Sequence, residues 1–147
     1  MNVLHQLGMY GAIGVNIYGI FSLWEKSVAL SIFVSTIIAN EILNRLLKTM
    51  IREERPSELI SDKTDSSYYG MPSGHSQQVF FSAIYLQLER VKYTEIIWVI
   101  AFITMWERVT NRKHTLNQVI VGALVGLGVG YFAHQLIKLR IKANDII

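Results

Sequence analysis

Residues 116–137 read LNQVIVGALVGLGVGYFAHQLI and contain no Asp, Glu, Lys or Arg. An uncharged apolar run of this length matches the roughly 20 residues that a helix needs to cross a hydrocarbon core about 30 Å thick. A strand is excluded because lipid offers no hydrogen-bond partner to its open backbone groups. The run therefore predicts a helix that spans a membrane.

Three glycines of this run, Gly122, Gly126 and Gly130, recur every four residues and so share one helix face. Small residues at this spacing let two helices approach closely. We expect the stripe to pack against another helix of the same chain. The alternative is a homo-oligomer that forms through the glycine-rich last helix.

Four further apolar runs precede this one in a chain of 147 residues, of which 51% are hydrophobic. The predicted helices are residues 7–24, 28–51, 75–89, 94–107 and 114–139, with an extramembrane loop at residues 52–72. The third and fourth runs are short, so they need polar residues at their ends, a tilt, or packing inside the bundle. No composition break divides the chain, which predicts a single domain over residues 1–147. The expected fold is an all-α integral membrane protein with about five transmembrane helices in a bundle.

Other classes of protein fit the composition poorly. A cleaved signal peptide at residues 7–24 is disfavoured, because no basic segment precedes the run and no Ala-x-Ala-like site follows it. The chain has no cysteine, which excludes disulfides, thiol catalysis and zinc–thiolate sites. Its net charge of +3 is modest, and its basic residues stand at helix ends among acidic ones. Nucleic-acid binding is therefore not expected.

Basic residues and histidines gather at three places: Lys48 with Arg55, then His75, then Arg108 with His114. The first pair falls at the end of the second predicted helix, and His75 falls at the start of the third. Arg108 ends the fourth helix, and His114 opens the fifth. Alternating crossings therefore place all five groups at one membrane face. We interpret them as one candidate site, whose cations and histidines are suited to a phosphate ester.

The spacing within these groups fits an anion site. Lys48 and Arg55 are seven residues apart, so they share a helix face if the second helix continues to Pro56. Ser73 is placed to cap the third helix, with Gly74 in its first turn, where free N–H groups and the helix dipole favour an anion. Phosphate is the expected occupant.

His114 and Gln118 are four residues apart, so on a helix the amide oxygen of Gln118 reaches the imidazole.

Each of these candidate site groups also has a simpler interpretation. Lys and Arg near membrane ends usually extend to the headgroups, a lone His is commonly an interfacial polar residue, and Pro-Ser-Gly is a turn followed by a cap. If these simpler interpretations were all correct, the spacing of the groups and their position at one membrane face would be a coincidence. A shared site is therefore favoured.

Three motifs resemble those of the type 2 phosphatidic acid phosphatase superfamily, which also includes the vanadium haloperoxidases. They are Lys48-x6-Arg55-Pro56, Pro72-Ser73-Gly74-His75 and Arg108-x5-His114. All three stand in the family's order, and with Gln118 they cover about half of the chain.

The third motif departs from the family pattern at two positions. Gln118 stands where the superfamily usually has Asp, but Gln is the usual residue of the dolichyldiphosphatase branch, which GMPSGHSQ at residues 70–77 also resembles. Glu107 stands where the family usually has Ser. A carboxylate here should repel phosphate unless it faces away from the site or pairs with Arg112 or Lys113.

The resemblance implies a role for each motif residue. The phosphate-binding residues would be Lys48, Arg55, Ser73, Gly74 and Arg108. His114 would attack phosphorus and form a phosphohistidine, with Gln118 fixing its tautomer. His75 would act as general acid and then as general base. No metal and no other cofactor is implied, because three cations take the place of the metal.

The resemblance further implies a membrane lipid phosphatase that cleaves a polyprenyl diphosphate of the dolichyl type to the monophosphate and inorganic phosphate. One alternative substrate is phosphatidic acid or another lipid monophosphate. A catalytically weak membrane scaffold or lipid-binding protein is the second alternative, suggested by Glu107 and by fewer helices than the family's usual six. A vanadate-holding haloperoxidase site is the third, disfavoured because those relatives are larger soluble enzymes.

The orientation in the membrane follows weakly from charge. Basic residues slightly favour the face opposite the candidate site, once its own three cations are set aside. By the positive-inside rule this predicts a multi-pass protein whose site faces the lumen or the exterior. The resemblance adds the endoplasmic reticulum as the expected membrane.

Overall fold

The computed structural model describes residues 3–56 and 68–144. This part of the chain folds into five helices: α1 (Val3–Ser22), α2 (Ser27–Ile51), α3 (Gly74–Leu88), α4 (Thr94–Thr110) and α5 (Leu116–Asn144). Within it, the β-type pairing is an isolated bridge between Glu54 and Tyr69. The prediction of an all-α fold is confirmed for the described residues. The predicted loop at residues 52–72 lies in part, at 57–67, outside them.

Two helices of the described part are long and apolar enough to cross a membrane, α2 over Ser27–Ile51 and α5 over Leu116–Arg140. The other three have 20, 15 and 17 residues, and a bundle of five transmembrane helices stays a prediction. The outer faces nevertheless carry large apolar side chains. Phe21, Ile38, Phe102 and Leu124 are each at least 60% exposed. A surface of this kind is suited to lipid rather than to water.

Helix α3 lies at the centre of the bundle, in contact with α1, α2, α4 and α5. Its side chains Val79, Phe81, Ala83, Tyr85 and Leu86 are completely buried. Because protein surrounds α3, its short apolar run packs inside the bundle, one of the arrangements expected from the sequence. Residues in its first turn are therefore positioned by the core.

The glycine stripe of α5 packs directly against α3. A Cβ atom added to Gly122 would lie 2.5 Å from the carbonyl oxygen of Ser73, and one added to Gly126 would overlap the carbonyl oxygen of Gln77. Main-chain atoms of the two helices thus meet without intervening side chains. The glycine stripe therefore contacts another helix of the same chain, as expected from its spacing.

Helix α2 ends at Ile51 and does not continue to Pro56. Arg52 adopts a left-handed conformation with φ of 54°, and its N–H bonds to the Lys48 carbonyl oxygen at 2.9 Å. The condition under which Lys48 and Arg55 would share one helix face, a second helix that continues to Pro56, is therefore not met. Arg55 instead follows a turn and a short segment, in which the Glu53 carbonyl oxygen accepts the Gly70 N–H at 2.7 Å.

Candidate functional site

A pocket of about 340 Å³ lies where α3 begins and α4 ends. Six of the eight predicted site residues line it: Lys48, Arg55, Gly74, His75, Arg108 and His114. The other two, Ser73 and Gln118, are completely buried and stand behind the pocket wall. Three cations and two histidines from separate parts of the chain therefore meet around one cavity.

The start of α3 presents a helix N-terminus to this pocket. Ser73 stands at the N-cap position, but its hydroxyl makes no capping bond and lies 3.2 Å from the Ser76 hydroxyl that donates to it. The Ser73 N–H instead donates to the Gln118 carbonyl oxygen at 3.0 Å, which ties the start of α3 to α5. Gly74 follows in the first turn and lines the pocket. Backbone N–H groups at such a terminus lack helical acceptors and favour an anion.

Gln118 holds His114 in one tautomer. Nδ1 of His114 lies 3.1 Å from Oε1 of Gln118. On its other side the amide Nε2 donates to Oε1 of Glu53 and to the carbonyl oxygen of Glu54, both at 2.8 Å. Since both partners are acceptors, the amide oxygen must face His114, and Nδ1 must carry the proton. The lone pair of His114 therefore lies on Nε2, which accepts from Arg55 Nη1 at 3.3 Å.

His114 stays uncharged over a wide pH range. Burial, and then the guanidinium of Arg55, lower the pKa of His114 to about 3; the hydrogen bond to Gln118 acts in the opposite direction, and the smaller effects of Lys48 and Arg108 lower the pKa further. The imidazole is thus neutral at physiological pH, with its lone pair on Nε2. This is the nucleophilic form of histidine.

Glu107, the residue that the sequence left unexplained, is not among the pocket-lining residues. Its completely buried carboxylate pairs with Nε of Arg108 and accepts from Nδ2 of Asn111 at 2.9 Å. Nδ1 of His5 lies 3.1 Å away and Nζ of Lys113 lies 3.6 Å away. Glu107 thus pairs with Lys113, one of the two ion pairs that would keep a carboxylate at this position from repelling phosphate. The carboxylate therefore pairs with the cations beside the pocket and stays outside its lining.

Arg108 is held by this carboxylate at the pocket wall. Its side chain is almost completely buried, and its Nη2 atom finds no hydrogen-bond partner within the described part of the chain. A buried charged donor without a partner is costly. A phosphate oxygen in the pocket would provide the charge-assisted hydrogen bond that Nη2 lacks.

We expect Glu107→Gln to lower the free energy of unfolding by about 2 kcal/mol, because the buried guanidinium of Arg108 loses its counter-charge. Thermal or denaturant unfolding in detergent measures the change. The control is Glu41→Gln, which removes the exposed partner of Arg45 and should cost less than about 0.5 kcal/mol. Equal losses in the two variants would contradict a supporting role for Glu107.

Sequence reasoning missed two polar side chains, Asn40 and Asn44, that stand in one row with Lys48 on α2. Asn40, Asn44 and Lys48 recur every four residues in an apolar helix, and all three are buried. Asn44 Nδ2 donates to the Pro72 carbonyl oxygen at 3.2 Å and to Gln77 Oε1 at 2.8 Å, while Gln77 Nε2 donates to Asn40 Oδ1 at 2.7 Å. These bonds hold the turn before α3 against α2. The signal in the sequence was polar residues at helical spacing within an apolar run.

The described residues form an all-helical bundle in which three cations and two histidines gather around one pocket at the helix ends, an arrangement suited to an anion. The chain's residues 29–142 match the family model described as the PAP2 superfamily. The chain belongs to this family, and the resemblance drawn from its three motifs is confirmed.

The curated relatives of this chain include dolichyldiphosphatases and a lipid phosphate phosphatase. The chain is 31% identical over 122 residues to dolichyldiphosphatase 1 of Dictyostelium discoideum, covering 74% of this chain and 52% of that protein. It is 32% identical over 112 residues to lipid phosphate phosphatase gamma of Arabidopsis thaliana, covering 67% and 49%. It is also 32% identical over 108 residues to the dolichyldiphosphatase of Saccharomyces cerevisiae, covering 63% and 45%. The chain thus spans about half the length of these relatives. No solved structure gives a significant match.

Proposed function

We propose that this protein is a multi-pass membrane lipid phosphatase that cleaves a polyprenyl diphosphate to the monophosphate and inorganic phosphate. The observation that carries the proposal is the meeting of Lys48, Arg55 and Arg108 with two histidines around one pocket. Relatives named dolichyldiphosphatase favour a diphosphate. The relative named lipid phosphate phosphatase gamma favours the alternative, phosphatidic acid or another lipid monophosphate.

In this proposal the three cations bind the non-bridging oxygens of the terminal phosphoryl group. Arg55 and Arg108 offer paired N–H donors that match two oxygens, whereas Lys48 acts as a point charge. The N–H groups at the start of α3, with Gly74 facing the pocket, add uncharged donors. Fixed charge of this kind stabilises the negative charge that builds up in the transition state.

The two histidines divide the chemistry. Nε2 of His114 attacks the terminal phosphorus, the bond from phosphorus to the bridging oxygen breaks, and His75 gives a proton to that oxygen. The lipid monophosphate leaves, and the phosphoryl group stays on His114. Water then attacks phosphorus while His75 takes its proton, the P–N bond breaks, and inorganic phosphate is released with both histidines restored.

A lipid substrate fits the surroundings of the pocket. Ala12 and Ile13 of α1 contribute an apolar part of its lining, and Ile13 is also more than half exposed on the outer surface of the bundle. A phosphate head can therefore occupy the pocket while its hydrocarbon chain stays in the bilayer. We place the site on the lumenal or exterior face, in the endoplasmic reticulum membrane.

The test is phosphate release by purified protein from dolichyl diphosphate and from phosphatidic acid, with and without excess chelator. We expect faster release from the diphosphate and full activity with chelator, because the three cations supply the positive charge. Faster release from phosphatidic acid would select the alternative substrate. Loss of activity in chelator would contradict the cationic site, and no hydrolysis of either lipid would favour a scaffold or lipid-binding protein.

We expect Gln118→Asp to move the acid limb of kcat/KM to higher pH. The pKa of His114, lowered to about 3 by burial and by Arg55, keeps the nucleophile neutral at all but strongly acidic pH. A carboxylate at position 118 stabilises the imidazolium and raises this pKa, so the neutral form is lost earlier as pH falls. The pH–rate profile measures the shift. Gln118→Asn, equal to Asp in size but uncharged, is the control, and identical profiles for the two variants would contradict the assignment.

A further inference from the structure

A carboxylate lies behind the pair formed by His114 and Gln118. Oε1 of Glu53 accepts the Gln118 Nε2 hydrogen at 2.8 Å, and Oε1 of Gln118 accepts from His114 Nδ1 at 3.1 Å. Glu53 is not among the residues that line the pocket, so it does not meet substrate there. The three groups form a continuous line from carboxylate through amide to imidazole.

The fold fixes Gln118 within this line. Its Oε1 accepts a second hydrogen bond from the Thr115 N–H at 3.2 Å, and its amide lies against Gly70, where any Cβ atom would overlap it. The Gly70 N–H in turn bonds to the Glu53 carbonyl oxygen at 2.7 Å, which anchors the backbone that carries the carboxylate. Gln118 itself is completely buried. The hydrogen bond between Gln118 and Glu53 is thus part-buried, unlike a contact between two exposed side chains.

Glu53 also helps to orient the amide, in the same direction as the Glu54 carbonyl oxygen and the Thr115 N–H. A carboxylate can only accept hydrogen bonds at neutral pH, so it selects the amide NH₂ and turns the amide oxygen toward His114. The reversed amide would donate to Nδ1 and move the ring proton to Nε2. That tautomer has no lone pair at the atom facing the pocket.

We propose that Glu53 is an acidic positioning residue of this site and supplies, through Gln118, the negative charge that position 118 lacks. The inference rests on the function proposed above. When Nε2 of His114 bonds to phosphorus, the ring becomes positive and Nδ1 keeps its proton, because a neutral amide oxygen does not take it. The Glu53 carboxylate polarises the amide between them and stabilises this positive charge. No proton moves along the line in this step.

The first experiment compares Glu53→Gln and Glu53→Leu by kcat and KM on the preferred lipid. We expect Glu53→Leu to lower kcat by about 100-fold, as for a reacting group that is misplaced by about 1 Å, with a smaller loss for Glu53→Gln. KM should stay nearly constant, because Glu53 is not part of the pocket lining. The control is Glu95→Gln in the first turn of α4, at the end of that helix away from Arg108, and its activity should be unchanged.

The second experiment exchanges the two groups. Gln118→Glu keeps the length of the native side chain, so unlike the shorter Asp it places a second carboxylate in contact with Glu53 and should nearly abolish turnover. Adding Glu53→Gln restores one acid and one amide in the line, so the double variant should exceed Gln118→Glu in kcat. A double variant no better than that single one, or a Glu53→Leu variant with native kcat, would overturn the proposal.

A spectroscopic measurement separates this inference from the proposed function. Nitrogen NMR of labelled histidine reports whether His114 carries its proton on Nδ1, and the chemical shifts of the two ring nitrogens report how strongly Nδ1–H is hydrogen-bonded, which Glu53→Leu should weaken. A native protein that hydrolyses no lipid phosphate would overturn the proposed function. Nitrogen chemical shifts of His114 that stay unchanged in Glu53→Leu would overturn the positioning role whether or not the native protein is active.

Discussion

His114→Ala should abolish phosphate release from lipid diphosphates, with kcat falling by about 10⁴-fold or more, because the step that forms the covalent intermediate has no other nucleophile. The His114→Ala variant should also retain no radioactive label after incubation with a substrate whose terminal phosphate is labelled. In the native protein that label should be lost in acid and survive in base, the behaviour of a phosphoryl group on histidine nitrogen. Phosphate release and trapped label are measured on the same preparation.

The control for this variant is His134→Ala on the same helix. His134 lies far along α5 from His114 and bonds to Glu89 at 3.0 Å, and it is not among the pocket residues. Its removal should leave kcat within about twofold, since the reacting groups stay in place. Turnover that survives His114→Ala would show that the assigned nucleophile is wrong.

Gly126→Val should lower the free energy of unfolding by more than about 3 kcal/mol, at the upper end of the usual cost of overpacking. The first added carbon would already overlap the carbonyl oxygen of Gln77 and approach the backbone nitrogen of Phe81 to 2.9 Å. Main-chain atoms of α3 cannot move aside as a flexible side chain can. Thermal unfolding in detergent measures the loss, and phosphatase activity should fall with it.

Gly128→Val is the matched control, two residues along the same helix. A Cβ atom at Gly128 meets nothing within 4 Å, so the substitution should change stability by less than about 1 kcal/mol. The difference between the two variants isolates the contact with α3 from the helix preference of valine. Equal losses would show that α5 does not depend on this close approach.

Local spacing made part of this molecule predictable from its sequence. The interval of four between Gly122 and Gly126 indicated a close helix contact, and the same interval indicated that Gln118 would reach His114. Both relations depend only on the pitch of one helix. The alternation of helix ends brought Lys48 and Arg108 to one side of the bundle.

Contacts between distant segments were not predictable in the same way. Glu107 meets His5, which precedes it by about a hundred residues, and no local pattern relates them. Glu53 meets Gln118 only because Arg52 turns the chain at the end of α2. The spacing of Lys48 and Arg55 could be used only on the condition that α2 continues to Pro56, and the left-handed turn at Arg52 ends the helix first.

The direct backbone contact between α3 and α5 bears on how such a chain can diverge. His75 stands in the first turn of α3 and His114 just before α5, so their separation is set by main-chain atoms at Gly122 and Ser73. Side chains on the outer faces, such as Leu124, take no part in setting it. Substitutions among the exposed apolar residues of the outer faces should therefore leave the register of the two histidines unchanged.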